Sequence, residues 1–81
     1  MKIDANIEFS EKTAKQLGRD TFKVAVDIDY VEDNVESVYE YVSNELAEKF
    51  GGVFFEDEYE IKNLNEIIEE IKFDEFKQKT S

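Results

Sequence analysis

With 81 residues, no Cys and no His, the chain can form one small domain, and neither a disulfide nor a His/Cys metal site can staple it. The 41% hydrophobic content, including seven Phe and four Tyr, supplies a core and excludes an acidic disordered tail, since such tails are poor in aromatics. The formal net charge of -11 argues against direct nucleic-acid binding, whose surfaces are basic, and the longest apolar run, Gly51 to Phe55, falls far short of the roughly 20 residues of a membrane span.

Ile3, Ala5, Ile7 and Phe9 alternate with polar residues and predict a first strand with one buried face. The segment from Ser10 to Gly18 is read as an extended hairpin arm turning at Leu17 to Asp20, with a short helix capped by Ser10 and stopped by Gly18 as the alternative. A second strand follows, with Phe22, Val24, Val26, Ile28 and Tyr30 on its inner face.

From Val35 the period changes to 3.6. Val35, Val38, Tyr39, Val42, Leu46 and Phe50 form the apolar stripe of a helix that Asp33 and Glu36 open as a capping box and Gly51 closes. Val53, Phe55, Tyr59 and Ile61 predict a third strand, with Phe54 on its polar face. Asp57 falls on the apolar side and signals an edge, a bulge or a bend. Asn63 and Glu66 repeat the capping-box spacing ahead of a second helix carrying Leu64, Ile67, Ile68 and Ile71. The expected fold is α+β in the order β-β-α-β-α: a small, mainly antiparallel three-stranded sheet with one or two helices on one face. The domain spans 1–76 and a frayed tail 77–81.

The charge is regional. Residues 27–70 hold fifteen carboxylates against Lys49 and Lys62, whereas the first 26 residues hold five cations and four carboxylates. Glu36, Glu40 and Glu48 lie in an i,i+4 row on the predicted helix, about 6 Å apart per step where adjacent, with Glu45 beside them. Glu56, Glu58 and Glu60 share one face of the third strand at about 6.6 Å, and Asp27 and Asp29 repeat that spacing on the second. Like charges so arranged repel one another, and a surface of Arg and Lys would match them all. Tyr41 and Phe54 fall among them as candidate anchors.

No loop has the Gly and Asp/Asn pattern of an EF-hand, and Glu56, Asp57 and Glu58 alternate faces if extended. The commonest general bases and nucleophiles are missing, and no Ser lies in an activating motif. The reading is a binding protein without metal, cofactor or catalysis. It does not bind nucleic acid directly, and the absence of Cys suits a reducing, cytoplasmic setting.

In size, acidity, lack of Cys and placement of acids on a small α+β frame, the chain resembles the small phage-encoded inhibitors that imitate DNA: anti-CRISPR proteins, anti-restriction proteins and uracil-DNA glycosylase inhibitors. The likeness is one of class and rests on the charge pattern. It implies a bacterial host cell and a basic partner, a DNA- or RNA-binding enzyme such as a CRISPR effector nuclease whose PAM-reading arginines would be blocked. The rival reading is a structural or adaptor protein pairing through a sheet edge or through Phe73 and Phe76, as a homodimer for example.

Overall fold

Strand β1 (Lys2–Phe9) is central, with β2 (Thr21–Asp27) and β3 (Tyr59–Ile61) antiparallel on either side of it. The computed structural model describes residues 1–80, with side chains through Phe76. The register pairs Ile3 with Val26, Ala5 with Val24 and Ile7 with Ile61, so the apolar residues of all three strands share one face. Helices α2 (Val35–Phe50) and α3 (Leu64–Thr80) pack on that face. Val38, Val42 and Leu46 of α2, and Ile67 and Ile71 of α3, are almost completely buried there. The fold is the expected α+β arrangement. The 77–81 tail lies outside the side chains described.

The hairpin arm is corrected to a helix, α1 (Glu11–Leu17). Ser10 Oγ accepts the Thr13 N–H at its start, Thr13 is buried, and Gly18 takes the left-handed conformation at its end, with φ 73°. Strand β2 also stops earlier than its pattern suggests. The Asp27 carboxylate accepts the Asp29 N–H and bends the chain into a 3₁₀ turn, Ile28–Tyr30, which leaves Tyr30 79% exposed instead of in the core.

The cap of α2 is Asn34 and not Asp33, since the Asn34 carboxamide accepts the Ser37 N–H at 2.8 Å. At the far end Gly51 and Gly52 both have positive φ, 79° and 88°. This pair resets the inside–outside phase of the chain: Phe54 turns inward while Val53 and Phe55 are exposed. The third strand therefore shrinks to three residues. Glu56–Glu58 form a 3₁₀ turn, the bend that the misplaced Asp57 signalled.

An aromatic cluster closes the sheet at this end. The Phe50 ring meets Phe22 at 5.0 Å and Phe9 and Phe54 at 6.1 Å each, and the Arg19 guanidinium lies over Phe22 and Phe50. Nearer the middle, the Tyr59 hydroxyl donates to the Tyr39 carbonyl at 3.0 Å and lies 2.6 Å from the Ser43 hydroxyl. Burial pushes the Tyr59 phenol up to about 12, partly offset by the Ser43 hydrogen bond.

Two outcomes are expected. Phe50→Ala removes the hub of four rings and costs about 3 kcal/mol in urea unfolding, whereas Phe55→Ala stays within about 0.5 kcal/mol. Between pH 10 and 12 folded Tyr59 keeps a proton that the unfolded chain gives up, so stability falls as pH rises through that window. Wild type should lose roughly 2–3 kcal/mol more than Tyr59→Phe across it, measured by urea unfolding at each pH.

Candidate functional site

The acidic residues of α2 and of the turn before β3 meet in one open groove. Glu36, Glu40 and Ser43 form one wall, Phe55, Glu56 and Asp57 the other, and Phe54 the floor, around a volume of about 550 Å³. A second depression of about 470 Å³ continues it past the start of α2, lined by Tyr30, Glu32, Asn34, Glu36, Ser37 and Glu40. Glu36 and Glu40 belong to both, so the two form a single acidic channel. It carries five carboxylates, Glu32, Glu36, Glu40, Glu56 and Asp57, and no cation among its lining residues. An exposed aromatic ring stands near each end, Tyr30 and Phe55.

Short local hydrogen bonds hold both walls. On the α2 side the Glu32 N–H donates to Ser37 Oγ at 2.9 Å, and Asn34 Nδ2 donates to the Glu32 carboxylate at 3.3 Å. On the other side the Glu58 N–H donates to the Phe55 carbonyl at 3.0 Å, and the Phe55 N–H donates to the Glu58 carboxylate. Glu58 thus fixes the turn that presents Glu56 and Asp57. With five carboxylates and no cation among its lining residues, the channel keeps a negative potential that a cation would lower.

Of the residues expected to contact a partner, this channel unites Glu36, Glu40 and Glu56, with Phe54 beneath them. The others are dispersed. Glu45 lies on the opposite side of α2 with Tyr41 and Lys49, and Glu48 is exposed near the end of that helix. Glu60 is on the outer face of the sheet, opposite Glu8 in register, and Lys62 bridges the two at 3.5 and 3.8 Å. Asp29 is off the strand, and both it and Asp27 face the N-terminal ammonium, at 3.2 and 3.9 Å.

Both anchor residues are less exposed than their polar-side positions suggest. Phe54 is buried against Phe50, 9% exposed, because the glycine pair shifts its phase, and Tyr41 is half-buried. Sequence reasoning missed Glu32, Asp57, Tyr30 and Phe55 as members of the channel. The double glycine before Phe54 and the Asp27 side chain before Tyr30 were the available signals, since each interrupts the alternation on which the assignments rested.

The channel suits a row of cationic side chains with flat or aliphatic stems. Among the described residues no three carboxylates converge as a metal-ligand set, so its charge is spread and not focused on one ion. Its open form fits a protein surface, with Arg or Lys heads against the carboxylates and stems against Tyr30 or Phe55. Among the described residues no helix is long and apolar enough to cross a membrane. No protein family, curated protein or solved structure matches this chain.

Proposed function

We propose that the protein is an acidic inhibitor that occupies the basic nucleic-acid-binding cleft of a DNA-processing protein in the bacterial cytoplasm, acting as a rigid substitute for DNA. The observation that carries this reading is the continuous channel in which Glu32, Glu36, Glu40, Glu56 and Asp57 line up without a compensating cation. A duplex carries one charge per about 1.7 Å of its axis, and a cleft built for it holds Arg and Lys in a row. Glu36 and Glu40, one i,i+4 step of about 6 Å apart along α2, with Glu56 and Asp57 across the groove, offer such a row several partners at once. Association would be fast and salt-sensitive, because long-range attraction steers it. Tyr30 and Phe55 supply the desolvated contacts that electrostatics alone does not. A CRISPR effector or a restriction enzyme has a cleft of this kind, and so does an RNA-binding enzyme.

The experiment is affinity capture from bacterial lysate at about 0.1 M and about 0.5 M salt, with duplex DNA as competitor. A DNA-binding enzyme should be retained at the lower salt, released at the higher, and displaced by DNA. The triple reversal Glu36→Lys, Glu40→Lys, Glu56→Lys should then weaken binding about a hundredfold, at roughly 1 kcal/mol per charge, and flatten the salt dependence. Glu60→Lys, on the outer face of the sheet beside Lys62, should leave affinity unchanged. A captured partner indifferent to salt and to the triple reversal would sink the reading.

A further inference from the structure

The open edge of the sheet bears a surface opposite in charge to the acidic channel. At the two ends of the β1–β2 ladder the Phe9 N–H donates to the Asp20 carbonyl and the Ile28 N–H donates to the Met1 carbonyl. Antiparallel alternation between those points turns the backbone groups of residues 22, 24 and 26 toward β1. The N–H and C=O groups of Thr21, Lys23 and Ala25 therefore point away from the sheet, and among the described residues no hydrogen bond reaches them. The other edge is short and partly covered, since β3 has three residues and the Ile61 N–H donates to the Tyr39 hydroxyl at 3.4 Å.

Beside this open edge runs a groove of about 250 Å³, with Lys2, Lys23 and Ala25 on the sheet side and Tyr41, Glu45 and Lys49 of α2 on the other. Three lysines meet one carboxylate here, on a protein whose net charge is -11. The lysine ion pairs among the described residues belong to Lys15 and Lys62, so Lys2, Lys23 and Lys49 keep their charge available. Tyr41, Glu45 and Lys49 follow one another at i,i+4, about 6 Å apart along the helix, and alternate side chains of an extended peptide recur at about 6.6 Å. A strand laid on β2 would thus bring successive side chains of one face against successive residues of α2.

We infer that this groove binds an extended acidic peptide segment, which adds to the sheet as a fourth strand along β2. The outward groups of Lys23 and Ala25 pair with its backbone, the three lysines take its carboxylates, and Tyr41 takes an apolar side chain. Main-chain pairing gives affinity in such strand addition, and the alternate side chains give specificity. The surface lies across α2 from the acidic channel, and the two readings fail separately.

The test is selection of a random-peptide phage library on the immobilised protein, followed by affinity measurement on synthetic copies of the enriched peptides. Acidic peptides with β-branched residues should be enriched. Their affinity should drop about tenfold or more on the double reversal Lys23→Glu, Lys49→Glu, and likewise on Ala25→Pro, which removes an edge donor. The triple reversal Glu36→Lys, Glu40→Lys, Glu56→Lys should leave them bound, with the fold of every variant checked by circular dichroism. Failure to enrich any peptide would overturn the inference, as would acidic peptides insensitive to both edge variants. Enrichment of basic peptides lost on the triple reversal would overturn it too, while supporting the channel. Sedimentation showing a dimer abolished by Ala25→Pro would overturn it in favour of a second copy as the occupant.

Discussion

The fold depends on strand β1 satisfying its backbone on both sides at once. Its odd residues pair with β2, as the Phe9 bond to Asp20 shows, and its even residues face β3, where the Lys62 N–H donates to the Asn6 carbonyl and the Ser10 N–H donates to the Glu58 carbonyl. Strand β3 is too short to cover the whole of that side. Asn63 completes it: its side-chain amide accepts the Asn6 N–H and donates to the Asp4 carbonyl, both at 2.8 Å, standing in for a strand residue. The same arrangement points Ala5, Ile7 and Phe9 to one face, and that face determines where α2 and α3 can bury their apolar stripes.

Burial on one face leaves the acids to the rim and the exposed sides of the helices, where repulsion among them opposes folding. The core offsets that cost with closely packed rings and β-branched residues, and no buried side-chain polar atom among the described residues lacks a partner. The acidic channel is thus a feature that the core sustains and does not itself require. Asn34 and Glu58 spend their side-chain hydrogen bonds on holding its walls, which fixes the backbone that carries the charges before any partner arrives. Such preorganisation lowers the ordering cost of binding.

Helix α2 divides the two surfaces. Glu36 and Glu45 are nine residues apart, which at about 100° per residue sets them on opposite sides of the helix. One side looks over the channel and the other over the open edge of β2. A molecule of this size can therefore present a cation-seeking surface and an acid-seeking one with only a helix between them. The low local density of negative charge near Lys23 and Lys49 makes the second possible in a strongly acidic protein.

Periodicity alone determined the class of fold, the inward residues of β1, the middle of β2 and the buried stripe of α2, because burial of one face imposes a period of 2 or 3.6 on whatever sequence forms it. The order of charged residues along the chain determined that the negative charge is concentrated between residues 27 and 70. The tertiary structure decided the rest. The phase of the chain changes where a local bond or a positive φ outweighs alternation, at Asp27, at Gly51 and Gly52, and at the Ser10 cap. Those three places moved Tyr30 and Phe55 outward, Phe54 inward, and Ser10 to Gly18 into a helix. Which carboxylates share a channel follows from the distance between α2 and the Glu56–Glu58 turn, elements separated in sequence and joined only by packing. Charge carries no periodic signature of its partners in space, so Glu36, Glu40 and Glu56 could be grouped, and Glu45 and Glu60 set apart, only once the chain was folded.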